Sequence, residues 1–168
     1  HFDWSPYAEK VRVLLGIKGL AWRSVQIPMV MPKPSLTALT GGYRKTPVLQ
    51  VGADIYCDSS LIALQLERLQ PDPTLFPDGG AGLALALAAW AGRFFDAGAG
   101  LAMGLNDEMP ADLLQDRREF FSHMDFAGFR HQAPHLFGQV VAHADLVERQ
   151  LADERRVEPL DPAPPAAL

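Results

Sequence analysis

Three short segments in the first half of the chain carry residues whose types and spacing can do chemistry. Ser5-Pro6-Tyr7 reads as the start of a helix: serine is a good N-cap, and proline suits the first helical position because its missing N–H has no intrahelical partner there. A helix N-terminus presents free N–H groups and partial positive charge, so a thiolate or carboxylate placed against it is stabilised, and the Ser5 hydroxyl adds a donor at that point. Thr46-Pro47-Val48 opens a strand. A cis proline there turns its neighbour's backbone N–H and C=O toward a cleft where an extended peptide can pair with them. Asp58-Ser59-Ser60 opens another helix. Asp58 can hold an ammonium group, and Ser59 with the helix terminus can hold a carboxylate, which together describe the head group of an amino acid.

Other chemistries lack their residues. Cys57 is the lone cysteine, so there is no intrachain disulfide and no Cys-x-x-Cys, and thiol–disulfide exchange by protein cysteines is excluded. Cys57 ends an apolar strand and reads as a small buried hydrophobe with no chemical role. His123, His131, His135 and His143 have no cysteine ligand nearby, and Pro134 interrupts the helical spacing of His131 and His135, so no metal site is expected. Gly98, Gly100 and Gly104 approach a dinucleotide fingerprint but follow no strand, and Gly-x-Ser-x-Gly is absent. Glu108, Asp112, Asp116 and Glu119, with Arg117 and Arg118, read as the solvated face of a helix. A formal net charge of -5 argues against general affinity for nucleic acid or anionic membranes. Basic residues must act locally. The apolar run Ala81 to Gly92 is too short to cross a bilayer, no signal peptide is visible, and cysteine usage fits the cytoplasm.

The elements that must position these motifs follow from periodicity. Tyr7, Val11, Leu14 and Leu15 give the first helix an apolar face up to Gly19. His1-Phe2-Asp3 reads as the end of a strand, and Trp22 to Ile27 alternates as a second, with Val25 and Ile27 on one side. The loop Pro28 to Lys45 holds at most a short helix around Ser35 to Leu39. Val48 to Val51 and Ile55 to Cys57 pair as a hairpin about Gly52-Ala53. Asp58 then caps a helix with Leu61, Ile62, Leu64, Leu66 and Leu69 on its apolar surface. Gln70 to Gly80, rich in proline and glycine, marks a boundary. Beyond it every periodic segment is helical: Ala81 to Met103, Ala111 to about Phe129, and His135 to about Arg155. Val157 to Leu168 reads as a disordered tail. The expected division is 1–78, 79–156 and 157–168, an α/β domain, a partial all-α domain and the tail.

In order and composition, Ser5-Pro6-Tyr7-Ala8-x-x-Val11-Arg12, Thr46-Pro47-Val48-Leu49 and Asp58-Ser59-x-x-Ile62-Ala63 resemble the glutathione transferase family. That resemblance implies a thioredoxin-like first domain and a glutathione co-substrate, with no metal. By the same resemblance Pro47 is cis, Thr46 pairs through its backbone with the cysteinyl part of glutathione, and Asp58 with Ser59 binds the γ-glutamyl end. Ser5 donates to the thiol sulfur, with Tyr7 the alternative. Lys33, Arg44 and Lys45 are available for the glycine carboxylate, Lys45 placed first. The resemblance further implies conjugation of glutathione to a small hydrophobic electrophile and a homodimer. The family carries more helices in its second domain than the three read here, and the sequence starts without methionine, so it reads as a fragment. A catalytically silent interaction or scaffold protein, or a non-functional fragment, is the alternative.

Overall fold

The computed structural model describes residues 1–77 and 80–154; the proposed tail lies outside them. The chain divides into two compact units, His1–Gly92 with Glu108–Met124, and Arg93–Asp107 with the residues from Asp125 onward.

In the first unit, helix α1 (Pro6–Ile17) begins where the capping residues place it. The Ser5 side chain accepts from the Ala8 N–H at 3.2 Å, and Pro6 stands at the first helical position. The helix stops two residues short of Gly19, at a Lys18 cap, and Gly19 then takes φ +60°. Ala8, Val11 and Leu15 are its buried stripe. The short α2 (Pro34–Leu39) follows in the long loop. Strands β1 (Val48–Val51) and β2 (Asp54–Cys57) pair antiparallel, Val48 opposite Cys57 and Val51 opposite Asp54. The turn between them has positive φ at Gly52 alone, the pattern that lets a two-residue turn follow the twist of its strands. Helix α3 (Ser59–Leu69) packs on α1 and on both strands. Val11 and Leu15 of α1 meet Ile62 and Leu66 of α3, with Leu14, Leu20, Leu49, Tyr56 and Leu75 closing around them.

One tie in this unit has no counterpart in the motif reading. The Lys18 side chain is fully buried, and its ammonium donates to Glu67 Oε2 at 2.5 Å and to the Pro71 and Pro73 carbonyls at 3.3 and 2.5 Å. It fastens the end of α1 to the segment that follows α3. Glu67 also accepts from the Thr74 hydroxyl and the Leu75 N–H, and the bond from Lys18, followed by these two, holds its carboxyl down at about 2.

The two outer strands are not formed. Ile27 N–H donates to the His1 carbonyl at 2.9 Å and the His1 nitrogen to the Val25 carbonyl at 3.0 Å, but Asp3 and Trp4 turn away before a ladder develops. Alternation alone does not make a strand: Val25 is 68% exposed, so the face it was to bury has nothing against it. Among the described residues the sheet is the β1–β2 pair.

Three helices follow: α4 (Gly80–Leu105), α5 (Ala111–Phe120) and α6 (Phe129–Glu154). Helix α5 ends nine residues earlier than its pattern suggested. Phe121 leaves helical geometry at ψ 49°, and Met124 N–H and Gly128 N–H close successive turns onto Phe121 and Asp125. Helix α6 begins six residues early and runs through Pro134. The proline forfeits the bond to Arg130, but Phe129 and Leu136 on either side of it are buried and hold the helix in place. In the second unit α4 approaches α6 closely: a Cβ at Gly104 would lie 2.8 Å from Phe129 Cβ, and one at Gly100 3.2 Å from Leu136 and Phe129. Gly100 and Gly104 are therefore contact glycines one helical turn apart. No helix among the described residues is long and apolar enough to cross a membrane.

Candidate functional site

The three motifs all fall in the first unit, and two of them touch. Ser5 is 5% exposed, and Thr46 Oγ1 donates to Ser5 Oγ at 3.4 Å across 41 residues of chain. With the Ala8 N–H and the Thr46 hydroxyl both donating to it, Ser5 Oγ has its two acceptor positions taken, and its O–H is the bond left to make. The Thr46–Pro47 peptide bond is cis, as expected, and Pro47 is buried. The Thr46 backbone N–H and C=O make no hydrogen bond among the described residues, so an edge of two polar groups lies open beside the Ser5 hydroxyl.

The third motif is joined to α1 by a different residue. Lys10 Nζ donates to Ser59 Oγ at 3.3 Å, which ties the start of α3 to α1. Ser59 is buried. Asp58 caps α3 by accepting from Ser60 N–H at 2.7 Å, and it does so at φ 79° and ψ 129°. A non-glycine residue held there costs about 1–3 kcal/mol and persists only where its surroundings fix it. Nothing in the sequence signalled that backbone. Tyr43, another residue the motif reading missed, has its phenol raised by burial and then by the nearby Asp58 and Cys57. Cys57 itself is half-buried, and burial pushes its thiol up. Tyr7 is 41% exposed and Trp4 86% exposed on either side of the Ser5-Pro6 step.

The three basic candidates occupy different environments. Lys45 is exposed, its ammonium 5.8 Å from the Phe120 ring centre. Arg44 lies over the same ring at 5.2 Å and pairs with Asp116 Oδ1 at 2.5 Å. Lys33 is 4% exposed, 5.2 Å over the Phe2 ring, and its ammonium makes no hydrogen bond or ion pair among the described residues. Desolvation pulls the Lys33 pKa down; Asp116 opposes that, while Arg44 and Arg117 add to it.

Asp116 corrects the sequence reading outright. It is not on a solvated face: it is 5% exposed and accepts from Met31 N–H at 3.0 Å, Arg44 Nη2 at 2.5 Å and Arg117 Nη1 at 2.7 Å. It thus holds both ends of the long loop between Pro28 and Lys45. The signal was there in the spacing, because Leu113, Asp116 and Phe120 recur at helical intervals and lie on one face of α5. Arg117 in turn lies 5.8 Å over the Phe2 ring. Among the described residues no group of three His, Cys, Asp or Glu is placed to hold a metal ion, and His143 stacks on Phe94 at 5.6 Å.

Comparison with known proteins bears on the fold that carries these residues. Residues 1–74 match the family described as glutathione S-transferase, N-terminal domain. A solved structure of a GST-like protein from Pseudomonas syringae is similar at 48% identity with a TM-score of 0.55. The match covers 74% of this chain and 44% of that one. No curated protein matches significantly. The expected fold class holds: a thioredoxin-like domain with a small antiparallel sheet, followed by a mostly helical region.

Proposed function

Because the chain belongs to the glutathione S-transferase family, we propose that its first domain binds glutathione and presents the thiol to a small hydrophobic electrophile. In this reading the open N–H and C=O of Thr46 pair with the cysteinyl residue beside cis-Pro47. Asp58 takes the γ-glutamyl ammonium, while Ser59 and the N-terminus of α3 take its carboxylate. Lys45 takes the glycine carboxylate. The observation that carries the reading is the open Thr46 backbone adjoining a buried serine hydroxyl whose acceptor capacity is filled.

The chemistry assigned to Ser5 is donation. Its O–H and the N-terminus of α1 lower the thiol pKa of the ligand, so that the sulfur is ionised near neutrality after its proton passes to water. The thiolate attacks the electrophilic carbon, a C–S bond forms, and the leaving group departs with its electron pair. The sulfur nucleophile belongs to the ligand. No resident metal is part of this scheme, and the protein is proposed to act in the cytoplasm as a homodimer.

Calorimetric titration with glutathione tests the binding. Saturable heat in the millimolar range or below supports it, and none from folded protein overturns it. Ser5→Ala is expected to cut turnover by about tenfold or more at nearly unchanged glutathione affinity, whereas unchanged turnover moves the donor role to Tyr7 or the backbone. Binding without any turnover assigns the protein to the alternative class, a silent member that serves as an interaction or scaffold module.

A further inference from the structure

Around the Phe2 and Phe120 rings the first unit gathers more positive charge than one ligand carboxylate accounts for. Lys33 and Arg117 both lie over Phe2, and Arg44 and Lys45 both lie over Phe120. Asp116 is the carboxylate bonded within this group, and it is bonded to Arg44 and Arg117. Lys33 is left buried with three N–H donors and no acceptor among the described residues. A buried ammonium without a hydrogen-bonded counter-ion is costly, and Asp116, which attracts it from a distance, is itself bonded to two guanidiniums that repel it. Even with a glycine carboxylate on Lys45, the Lys33 ammonium keeps no hydrogen-bonded acceptor among the described residues.

The position of that charge selects the ligand. Phe2 carbonyl accepts from Ser5 N–H at 3.3 Å, so the Lys33 and Arg117 pair sits on the residue that leads into the sulfur-activating turn. Trp4 and Tyr7 expose aromatic surface on the same turn. We propose that Lys33 and Arg117 form an anion subsite for the second substrate, which is therefore an aromatic electrophile bearing a carboxylate or similar acidic group. This inference deepens, and rests on, the transferase reading. A polyanion does not suit the site, since the chain as a whole carries a net charge of -5 and repels one.

The test compares para-nitrobenzoate with nitrobenzene as unreactive probes, each titrated calorimetrically with and without saturating glutathione. The expected result is binding of the acid tighter by about tenfold to a hundredfold, the range of one or two charge-assisted hydrogen bonds. That preference should shrink with added salt, persist in the presence of glutathione, fall toward unity in Lys33→Gln and Arg117→Gln, and stay unchanged in the exposed control Arg149→Gln. Lys33→Gln breaks no ion pair among the described residues, its fold is checked by circular dichroism and its urea midpoint, and Arg117→Lys supplies a second variant in which part of the preference returns. Equal binding of acid and neutral probe overturns the inference. So does an acid preference that glutathione abolishes, which gives the cluster to the thiol ligand, or one that survives both Gln substitutions. Failure of glutathione itself to bind is a separate result and refutes the transferase reading, because the acid preference is read without it.

Discussion

Replacing Asp116 by alanine should loosen the long loop from both ends at once. The carboxylate joins Met31 N–H at one end of the segment and the Arg44 guanidinium at the other, with Arg117 as a third donor. A fully buried ion pair that loses one partner costs about 3–5 kcal/mol. Here the anion is 5% exposed but the Arg44 and Arg117 side chains are 26% and 17% exposed, so water re-solvates part of the abandoned charge. The expected loss therefore falls below that range, at about 2–3 kcal/mol. With a urea slope of about 1.5–2 kcal/mol per molar, the unfolding midpoint should fall by about 1–2 M. Asp116→Asn keeps an oxygen for Met31 and Arg44 and should recover a good part of that loss. If the clamp also positions the loop for ligand, Asp116→Ala weakens glutathione binding at temperatures where the variant is still folded, and Asp116→Asn does so less. A midpoint within about 0.3 M of the parent refutes the reasoning, because a buried carboxylate with three donors cannot be deleted that cheaply.

The Glu67 carboxyl, held at about 2 against an ordinary 4.5, contributes stability that is complete above 4.5 and is lost as pH falls toward 2. Urea midpoints of the parent should decline across that interval. Those of Glu67→Gln should start lower at neutrality, decline less, and meet the parent at the acid end. Gly104→Ala places a methyl 2.8 Å from Phe129 Cβ and 3.0 Å from its carbonyl carbon, so α4 and α6 must separate, and thermal unfolding should show a loss of about 1–3 kcal/mol. The same change at Gly92, where nothing lies within 4 Å, should be neutral or slightly stabilising. Ile62→Ala empties the centre of the core at a fully buried position and should cost about 2–5 kcal/mol in the same measurement.

What the sequence made legible is local. Ser5, Pro6 and Asp58 satisfy helix-terminus rules that depend on a few adjacent residues, and the structure starts α1 and α3 where those rules place them. Gly52-Ala53 sets a hairpin for the same reason. The misreadings are of segments whose state is decided elsewhere. Trp22 to Ile27 has the alternation of a strand, but a strand exists through its partner, and His1 gives it a single pairing position before the chain turns. Helix α6 crosses Pro134 because Phe129 and Leu136 are anchored against α4, a contact that no rule about proline contains.

Asp116 shows why the charged part of the site was the hardest to see. Its partners Met31 and Arg44 lie 85 and 72 residues away, so by composition Gln115 to Glu119 is a polar helix surface. Burying that carboxylate requires cations from a distant loop, and those cations, once gathered, exceed what the carboxylate neutralises. The structure therefore turns an unremarkable polar stretch into a group of four cations around two aromatic rings, with Lys33 at its centre of cost. The rest of the fold carries the cost of burying that ammonium, and an anion bound there would offset it; on the proposal made above, the specificity of this protein is to be sought on Phe2 rather than on the helix termini that announced themselves in the sequence.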